Sequence, residues 1–444
     1  MQEQTIQINC LETHQIIEGF GCFGGREKDF FQDPKRDAIM EELFGQLRLS
    51  ILRTEAKPSF STVPGEINFD MNADLTIPPN DAYFDKPDQD EVKRRSQLWV
   101  LKNSKKYNPK IVASTWSPPH YMKTKTLKRL KSASYADFAN FLADYVKAYQ
   151  LVNIPIFAIS PQNEPENIFS PWDVCLWLPW ETVNFVNKYM RPIFNQRGLT
   201  ATKIMVGESA NWTVNKGFLL LMNNKKNMDI VASHGYTVPD PLDNLSVTYN
   251  TDPIGDVPAD WKKSVWISEV CSIKSFDPSM TMGLQAAICL HKFLAVKNVN
   301  ASIFWLGMVR GNSNEALICS DGLGNYQLTK AFDTLGNFSK YINAGDIRIA
   351  TNSATLNSTI YVSAFKQANS EQLSIVVINA SNETVRIHIQ LNHADSVQTL
   401  IPYETPPELG VRWEQKDAIQ RSANQFTTYL IPQSVTTFLT NSGQ

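Results

Sequence analysis

An α/β barrel of eight parallel strands, the (β/α)8 TIM-barrel fold, with a β-sandwich packed at its side is the architecture that this sequence of 444 residues predicts. Two observations predict it. Eight short β-branched or apolar runs alternate with longer segments of helical periodicity through the first three quarters of the chain. After about residue 338 the helical periodicity ends, and short alternating runs follow, which is typical of a sandwich.

The predicted barrel strands have a mostly apolar interior and a polar or aromatic end. They are Ile17–Cys22, Leu49–Arg53, Lys110–Trp116, Ile154–Glu164, Lys203–Ser209, Ile230–Tyr236, Ser264–Glu269 and Ser302–Leu306. The clearest amphipathic helices between them are Ala136–Val146, Pro179–Phe194 and Gly283–Lys297. Pro179 suits a first helical turn, where no backbone donor is needed. The segment Pro78–Arg95 is dense in Asp, Pro and Lys and predicts a solvated loop that leads into a helix.

The change of pattern divides the chain into three parts. Residues 1–17 are predicted to supply an N-terminal strand to the sandwich, residues 18–338 to form the barrel, and residues 339–444 to complete the sandwich. The predicted sandwich strands are Thr5–Cys10, Arg348–Ala350, Ile360–Lys366, Leu373–Asn379, Val385–Leu391 and Thr427–Ile431. Because the first strand is woven into it, we expect a fixed structural flank and not an independent carbohydrate-binding module.

The composition argues against several partners. Lys and Arg number 42 against 44 Asp and Glu, a formal net charge of −2, whereas nucleic acid and anionic membranes require a basic excess. No apolar run approaches the ~18 residues of a membrane span. The six cysteines show no C-x-x-C spacing, and the six histidines show neither H-x-H nor H-x-x-x-H spacing. No metal and no other cofactor is therefore expected.

The first residues are polar and show no signal peptide. We expect a secreted protein in its mature form, with a cytoplasmic protein as the alternative, and a monomer in either case.

Two glutamates at the ends of predicted strands indicate the chemistry. The apolar run Ile154–Ile159 leads into an Asn-Glu-Pro segment that contains Glu164, and Val265–Ser268 leads in the same way to Glu269. Two carboxyl groups are what a retaining glycosidase requires, because one protonates the leaving oxygen and the other attacks the sugar. Taken alone, Glu164 could instead begin a helix.

The C-terminal ends of all strands in a closed parallel barrel open onto one face, where reacting groups gather. The residues at the predicted ends are Arg53, Trp116, Asn163, Glu164, Glu208, His234, Tyr236, Glu269 and Trp305. Alternatives stay open for single members of this set. Arg53 could be a buried ion-pair partner, His234 could hold a loop, and Glu208 could support the other two glutamates.

Several segments resemble glycoside hydrolase family 30. They are Gly19–Gly25, Ala113–Lys123 with its Trp-Ser-Pro-Pro core, Pro161–Pro165, Trp266–Glu269 and, at the crossover into the side domain, Phe338–Gly345. The resemblance covers nearly the whole chain. It implies a retaining β-glycosidase with Glu164 as general acid/base and Glu269 as nucleophile.

The resemblance also implies supporting residues. Arg53 and the Tyr236 hydroxyl would keep Glu269 ionised, Asn163 would bind the sugar 2-hydroxyl, and Trp116 and Trp305 would form the floor under the sugar. His234 is counted among the substrate-binding residues. Glu164 must carry a proton near neutral pH, so we expect burial or the charge of Glu269 to raise its pKa.

The loops indicate the substrate. Ser170–Trp177 resembles the xylanase branches of the family, and Arg310 corresponds to an arginine that binds glucuronic acid in some of them, although it could simply neutralise a nearby carboxylate. A polysaccharide, β-1,4-xylan, is therefore the expected substrate. The alternatives are a glucosylceramidase, another β-glucosidase or β-1,6-glycanase, and, in a different class, a non-catalytic carbohydrate-binding protein.

Exposed aromatic and basic residues could extend the binding surface. Trp172 is expected to line an outer sugar site. Trp177 and Trp180 could do the same or cap the helix below. The run Lys123–Lys131 holds four Lys and one Arg in nine residues, and is either solvated surface or a binding site for an acidic sugar branch.

Overall fold

The structure is a computed structural model, and it describes residues 2–24, 26–60, 70–72, 89–240, 242, 246–251, 263–368 and 370–440. The predicted loop within Pro78–Arg95 lies outside the described residues up to residue 88, and a helix begins at Gln89. Among the described residues, no helix combines the length and the apolar character needed to cross a membrane.

Eight parallel strands close into a barrel, which confirms the predicted fold. Strand β1 (Gln2–Ile16) belongs to the other sheet, and the barrel strands are β2 (Gly19–Phe23), β3 (Ile51–Glu55), β4 (Lys110–Ser114), β5 (Ile156–Ser160), β6 (Lys203–Ser209), β7 (Ile230–His234), β8 (Ser264–Glu269) and β9 (Ala301–Arg310). Strand β9 pairs with both β8 and β2, so Ala301 lies opposite Trp266 on one side and Gly19 on the other. The closure brings all eight C-terminal ends to one mouth.

Apolar side chains fill the barrel below that mouth. They are Ile51, Val112, Ala158, Met205, Ile230, Ala232, Trp266, Ala301 and Ile303. Charged and polar side chains occupy the layer above them, at the strand ends. The barrel therefore has a hydrophobic base that supports a polar rim.

Helices surround the barrel. The α-helices are Glu27–Gln32, Arg36–Met40, Gln89–Ser104, Tyr135–Leu151, Pro179–Phe185, Arg191–Gln196, Trp212–Leu221, Met280–His291 and Lys330–Ser339, with π-helical segments at Glu41–Gln46, Val186–Met190 and Lys292–Val296 and 3-10 turns at Pro58–Phe60, Lys105–Tyr107, His120–Met122, Ser132–Ser134 and Ser353–Thr355. The helix predicted over Pro179–Phe194 is a continuous run in which the π segment Val186–Met190 joins two α-helices.

The remaining strands extend the barrel sheet and form a second sheet. Strands β10 (Ala316–Ser320) and β11 (Tyr326–Leu328) continue from β9, and the second sheet contains β1 with β12 (Ile347–Thr351), β13 (Ile360–Lys366), β14 (Leu373–Asn379), β15 (Val385–Asn392), β16 (Thr399–Thr405), β17 (Glu414–Gln415), β18 (Ile419–Gln420), β19 (Phe426–Leu430) and β20 (Ser434–Thr440). The sequence patterns missed β10, β11, β16, β17, β18 and β20. In β16, Pro402 weakens the strand signal.

The strands predicted to form the side β-sandwich are hydrogen-bonded into one continuous curled sheet. The reason is β1, which pairs antiparallel with β12 and parallel with β15 and so joins the two halves. Its apolar face, including Ile6 and Ile8, packs into the core of this sheet. The N-terminal strand thus lies where the sequence placed it, while the domain boundaries at 17–18 and 338–339 stay predictions.

Candidate active site

The predicted functional residues come together at the mouth of the barrel. Arg53 lies on β3, Glu208 near the end of β6, His234 at the end of β7 and Glu269 at the end of β8. Asn163 and Glu164 follow β5, which ends at Ser160 and not at Glu164 as predicted. Each side chain is nine-tenths or more buried, so the group forms a compact charged layer with limited access to solvent.

Glu269 is held by a cation and a phenol. Its Oε2 accepts a hydrogen bond from Arg53 Nη1 at 2.6 Å, and its Oε1 accepts one from the Tyr236 hydroxyl at 2.7 Å. Hydrogen bonds from charged donors are shorter and stronger than neutral ones. Both carboxylate oxygens are therefore fixed in position, and the charged form of Glu269 has two stabilising donors.

Arg53 organises the carboxylates around it. Its Nη2 donates to Asn163 Oδ1 at 2.6 Å and to Glu208 Oε2 at 2.7 Å. The Nε donates to Ser114 Oγ at 3.2 Å, and the guanidinium carbon lies 4.9 Å from the centre of the Trp116 ring. The side chain has no exposed surface. Arg53 is therefore a buried ion-pair partner of Glu208 and Glu269, the alternative that the sequence left open, and direct substrate binding by Arg53 stays a prediction.

Glu164 contacts His234. Its Oε1 lies 3.1 Å from His234 Nδ1, and its Oε2 accepts a hydrogen bond from Asn167 Nδ2 at 3.0 Å. Burial acts to raise the pKa of Glu164, but the hydrogen bond and charge of His234, the Asn167 amide and the charge of Arg53 outweigh it and lower the pKa. The expected rise is thus wrong for the free enzyme, because the strand ends placed His234 at the same mouth but could not show that it lies 3.1 Å from Glu164.

His234 carries the proton that was expected on Glu164. Burial acts to lower its pKa, but the charge of Glu269 and the contacts with Glu164 and Glu208 raise the pKa to about 10. Nδ1 lies 3.7 Å from Glu269 Oε1, and Nε2 lies 3.7 Å from Glu208 Oε2. The imidazole is fully buried. It contacts the three carboxylates, and its expected part in substrate binding stays a prediction.

The two predicted catalytic carboxylates converge. A carboxylate oxygen of Glu164, a carboxylate oxygen of Glu269 and a ring nitrogen of His234 all lie within 4.8 Å of one another. A retaining glycosidase separates its carboxyl groups by about 5–5.5 Å, whereas an inverting one needs about 6.5–9.5 Å to admit a water molecule. The pair has the spacing for direct attack on a sugar.

The same three residues could also hold a cation, a possibility that sequence spacing could not reveal. Two features disfavour it. A protonated imidazole is no metal ligand, and both oxygens of Glu269 already accept hydrogen bonds from Arg53 and Tyr236. The site therefore fits acid–base chemistry better than metal chemistry.

Backbone strain aims two of the glutamates. Glu164 has φ 42° and Glu208 has φ 56°, values in the left-handed region that residues with a side chain seldom adopt. The Glu164 N–H donates to the Glu208 carbonyl at 2.8 Å, which links the two strained turns. Gly207 precedes Glu208 at φ 102°, and a Cβ there would lie 2.4 Å from the Ala232 carbonyl oxygen. Strain of this kind concentrates at functional sites.

Three aromatic rings border the carboxylates. Trp305 stacks on Phe23 with ring centres 4.7 Å apart, and Trp116 lies 5.4 Å from Phe23 and 6.1 Å from Trp305. Trp116 and Trp305 are partly exposed, and Phe23 is buried. Exposed indole faces beside a carboxylate pair can stack on a sugar ring. Phe23 was not predicted to have a role, although it lies in the glycine-rich segment Gly19–Gly25.

Two further polar residues of the site, Ser114 and Asn167, were not predicted from the sequence. Ser114 donates to Glu208 and accepts from Arg53, and Asn167 donates to Glu164. Ser114 precedes the predicted pocket residue Trp116 by two residues, and Asn167 follows Glu164 by three residues. Both signals were present but are too common to stand out.

The loop residues are divided. Trp172 is about half exposed (47%) and Trp180 is exposed (56%), whereas Trp177 is buried (1%). Trp177 packs against Tyr135 and Phe185. It therefore belongs to the core and lines no sugar site.

The basic loop residues are mostly engaged. Lys123 Nζ donates to Ser117 Oγ at 2.6 Å and to the Val174 carbonyl at 3.0 Å, and Arg129 pairs with Glu181. Arg310 is exposed at the end of β9. Burial of Asp29 raises the pKa of its carboxyl group, and the positive charge of Arg310 acts in the opposite direction. Arg310 is thus close to a carboxylate of its own chain.

A carboxylate pair bordered by tryptophans at the mouth of a (β/α)8 barrel defines a glycoside hydrolase, and the comparisons with known proteins agree. Residues 59–323, more than half of the chain, match the model of glycosyl hydrolase family 59, and the chain belongs to that family. A curated relative is a glucuronoxylanase of Bacillus subtilis (strain 168), 27% identical over 98% of this chain and 92% of its own length.

Solved structures share the fold over the whole chain. A GH30 xylanase catalytic domain from Talaromyces cellulolyticus superimposes with a TM-score of 0.79 at 20% identity, covering 99% of this chain and 100% of the other. A GH30 endoxylanase from Clostridium papyrosolvens C71 gives a TM-score of 0.74 at 24% identity with the same coverage. These likenesses show the fold, and the family match shows that the protein is a glycoside hydrolase.

Proposed function

We propose that the protein is a retaining β-glycosidase of the family 30 type that cleaves β-1,4-xylan by double displacement. The observation that carries the proposal is the spacing of the carboxylates of Glu164 and Glu269, with oxygens within 4.8 Å of each other. That distance leaves room for a sugar carbon between them and none for a water molecule. The likeness to a glucuronoxylanase and to GH30 endoxylanases supports the family and the substrate.

In the first step, a Glu269 oxygen attacks the anomeric carbon. The bond from that carbon to the glycosidic oxygen breaks, and the oxygen takes a proton from Glu164. In the second step, water attacks the glycosyl ester, Glu164 removes a proton from the water, and Glu269 leaves as a carboxylate. Both steps pass through an oxocarbenium-like transition state.

The proton for the first step is shared between Glu164 and His234. In the free enzyme it lies on the imidazole, 3.1 Å from Glu164. A bound sugar displaces water from Glu164 and disfavours its charged form, so the proton shifts to the carboxyl group. Once Glu269 is esterified its negative charge is gone, and the ionised form of Glu164 becomes the favoured base for water.

The remaining residues bind the sugar at the cleaved linkage. Asn163 uses its Oδ1 to accept from Arg53, which leaves its amide hydrogens free to face a sugar 2-hydroxyl. Trp116 and Trp305 provide the apolar floor. Trp172, exposed in the loop after Glu164, supplies an outer platform for a further sugar of the polysaccharide.

Arg310 is proposed as a site of modest affinity for a glucuronic acid side group. Its charge is partly engaged with Asp29, so the enzyme is expected to accept unsubstituted xylan as well. This predicts less dependence on side groups than a dedicated glucuronoxylanase would show.

The test combines product stereochemistry with a substrate panel. Proton NMR of the first product should show the same anomeric configuration as the substrate, and an inverted first product would eliminate the nucleophile assignment. Glucuronoxylan, unsubstituted xylan, β-1,6-glucan, glucosylceramide and aryl β-glycosides form the panel. Preference for β-1,6-glucan or glucosylceramide would replace the xylan proposal. Binding without turnover on every substrate would support a non-catalytic protein.

A further inference from the structure

Glu208 is a buried carboxylate to which the two reaction steps give no role. Its Oε2 accepts from Arg53 Nη2 at 2.7 Å and from Ser114 Oγ at 3.2 Å, and lies 3.7 Å from His234 Nε2. Among the described residues, no hydrogen-bond partner faces its Oε1. Burying a carboxylate carries a large desolvation cost. The buried position of Glu208 therefore calls for an explanation.

The backbone adds to that cost. Glu208 has φ 56°, and a left-handed residue with a side chain costs about 1–3 kcal/mol. Glu208 forms a bulge in β6, because the pairing of β6 with β7 shifts register between Gly207 and Ser209. As a result the carboxylate points into the barrel mouth, between Arg53 and His234.

A count of charges shows what a third carboxylate does there. Glu164, Glu208 and Glu269 face one permanent cation, Arg53, so the buried group favours the uptake of one further proton. That proton has two places, His234 Nδ1 and the Glu164 carboxyl group, which are 3.1 Å apart. Glu208 lies at the opposite edge of the imidazole, nearest Nε2.

We propose that Glu208 is a positioning residue that keeps this shared proton on the His234–Glu164 pair and fixes Arg53 against Glu269. It acts through these residues and does not touch the substrate. The kinetic consequence rests on the function proposed above, whereas the effect on the proton does not.

His234 is surrounded by charged and titratable groups from every neighbouring strand. They are Arg53 on β3, Glu164 and Glu166 after β5, Glu208 on β6, Tyr236 after β7 and Glu269 on β8. Glu164 and Glu269 approach Nδ1, while Glu208 approaches Nε2. Removing the Glu208 charge therefore alters one side of the ring and leaves the reacting side in place.

The kinetic experiment measures kcat/KM of Glu208→Gln against pH on a substrate with a poor leaving group. The negative charge of Glu208 favours the protonated pair, so without it the pair loses its proton at lower pH. The basic limb should move down by about one pH unit or more. An aryl glycoside with a good leaving group needs little acid assistance and should show a smaller shift.

Two variants complete the kinetic series. Glu208→Asp keeps the negative charge but moves it away by one methylene, so the basic limb of its pH profile should lie between those of the wild type and Glu208→Gln. This variant also tests the proposal if Glu208→Gln fails to fold. Glu166→Gln is the matched control, because Glu166 is a partly buried glutamate of the same loop as Glu164 whose Oε1 accepts from the Ala210 N–H at 2.8 Å. Its limb should move least.

A direct measurement does not depend on activity. NMR of the protein labelled with nitrogen-15 in histidine, with His234→Asn to assign the signal, follows the protonation of His234. In the wild type the imidazolium should persist above pH 8, and in Glu208→Gln it should titrate at lower pH. Identical titration in both proteins would overturn the proposal, even if activity falls. A shifted titration in a protein that hydrolyses no glycan would support it and refute the proposed function.

Discussion

Two buried histidines in this protein have opposite electrostatic surroundings. His234, at the barrel mouth, lies among three carboxylates, and its pKa is raised to about 10. His291, on the helix between the barrel and the second sheet, is 3% exposed and has its pKa lowered to about 3 by burial and by the charges of Lys292 and Arg348. Burial is nearly the same in both regions, so the neighbouring charges decide the protonation state.

The barrel mouth and the interface between the barrel and the second sheet serve different purposes. At the interface, His291 Nδ1 lies 2.8 Å from Ser363 Oγ and its ring lies 5.3 Å from that of Tyr361, so a neutral side chain joins the barrel to the second sheet. At the mouth, charges are concentrated and Glu164 and Glu208 are strained. The interface has the neutral, unstrained packing of a stable core, whereas the mouth contains buried charges and a strained backbone. Substitutions should therefore affect stability in the first region and activity in the second.

The largest effect is expected from Glu269→Gln. The amide cannot attack the anomeric carbon, and it leaves the buried charge of Arg53 less balanced. Loss of a nucleophile that acts as part of a unit costs about 10⁴-fold or more in kcat. Initial rates on xylan would measure it, with Glu166→Gln as the matched control. Equal losses in the two variants would contradict the nucleophile role and leave only a general effect of removing charge.

Glu164→Ala should have a smaller effect that depends on the leaving group. General acid–base catalysis contributes about 10²–10⁴-fold, so activity on xylan should fall by that amount. Aryl glycosides with good leaving groups should form the glycosyl-enzyme readily, and azide should then accelerate its breakdown and yield a glycosyl azide. If azide has no effect and the loss is the same for all leaving groups, Glu164 is not the acid/base.

Tyr236→Phe tests a supporting contact at the mouth. It removes the hydrogen bond of 2.7 Å to Glu269 Oε1, and a hydrogen bond to a charged group contributes about 1.5–3 kcal/mol. A fall in kcat/KM of about 10- to 100-fold is expected, with little change in the thermal midpoint. Tyr249→Phe is the control, because Tyr249 is also buried but packs against Phe304, whereas the hydroxyl that bonds Glu269 is that of Tyr236. Similar losses in both would show that packing, and not the hydroxyl, is responsible.

The sequence predicted the barrel and the two glutamates for a physical reason. Each strand combines an apolar run with a polar end, and a closed barrel brings such ends together, so Glu164 and Glu269 could be placed without coordinates. The proton on His234 could not be predicted, because it depends on distances of 3.1–3.7 Å between residues on four different segments. The N-terminal strand was correctly assigned to the second sheet, but its two partners could not be predicted because β1 pairs with strands more than 300 residues away.

The smallest expected effect concerns stability at the interface. The pKa of His291 is lowered to about 3 in the folded protein, against about 6.5 for an unperturbed histidine. The unfolded chain therefore binds the extra proton below pH 6.5, and stability is lost as the pH falls from there towards 3. Between pH 7 and pH 5 this amounts to about 2 kcal/mol.

His291→Gln can keep a hydrogen bond to Ser363 but cannot titrate, so its stability should depend less on pH by that amount. Urea denaturation at both pH values would measure the difference, and His393→Gln, at an exposed position, should leave the pH dependence unchanged. The mouth should respond in the opposite sense, since the contribution of His234 is complete below pH 6.5 and is lost as the pH rises towards 10. If acid stability were the same in His291→Gln and the wild type, His291 would be charged in the folded protein and the contrast between the two histidines would fail.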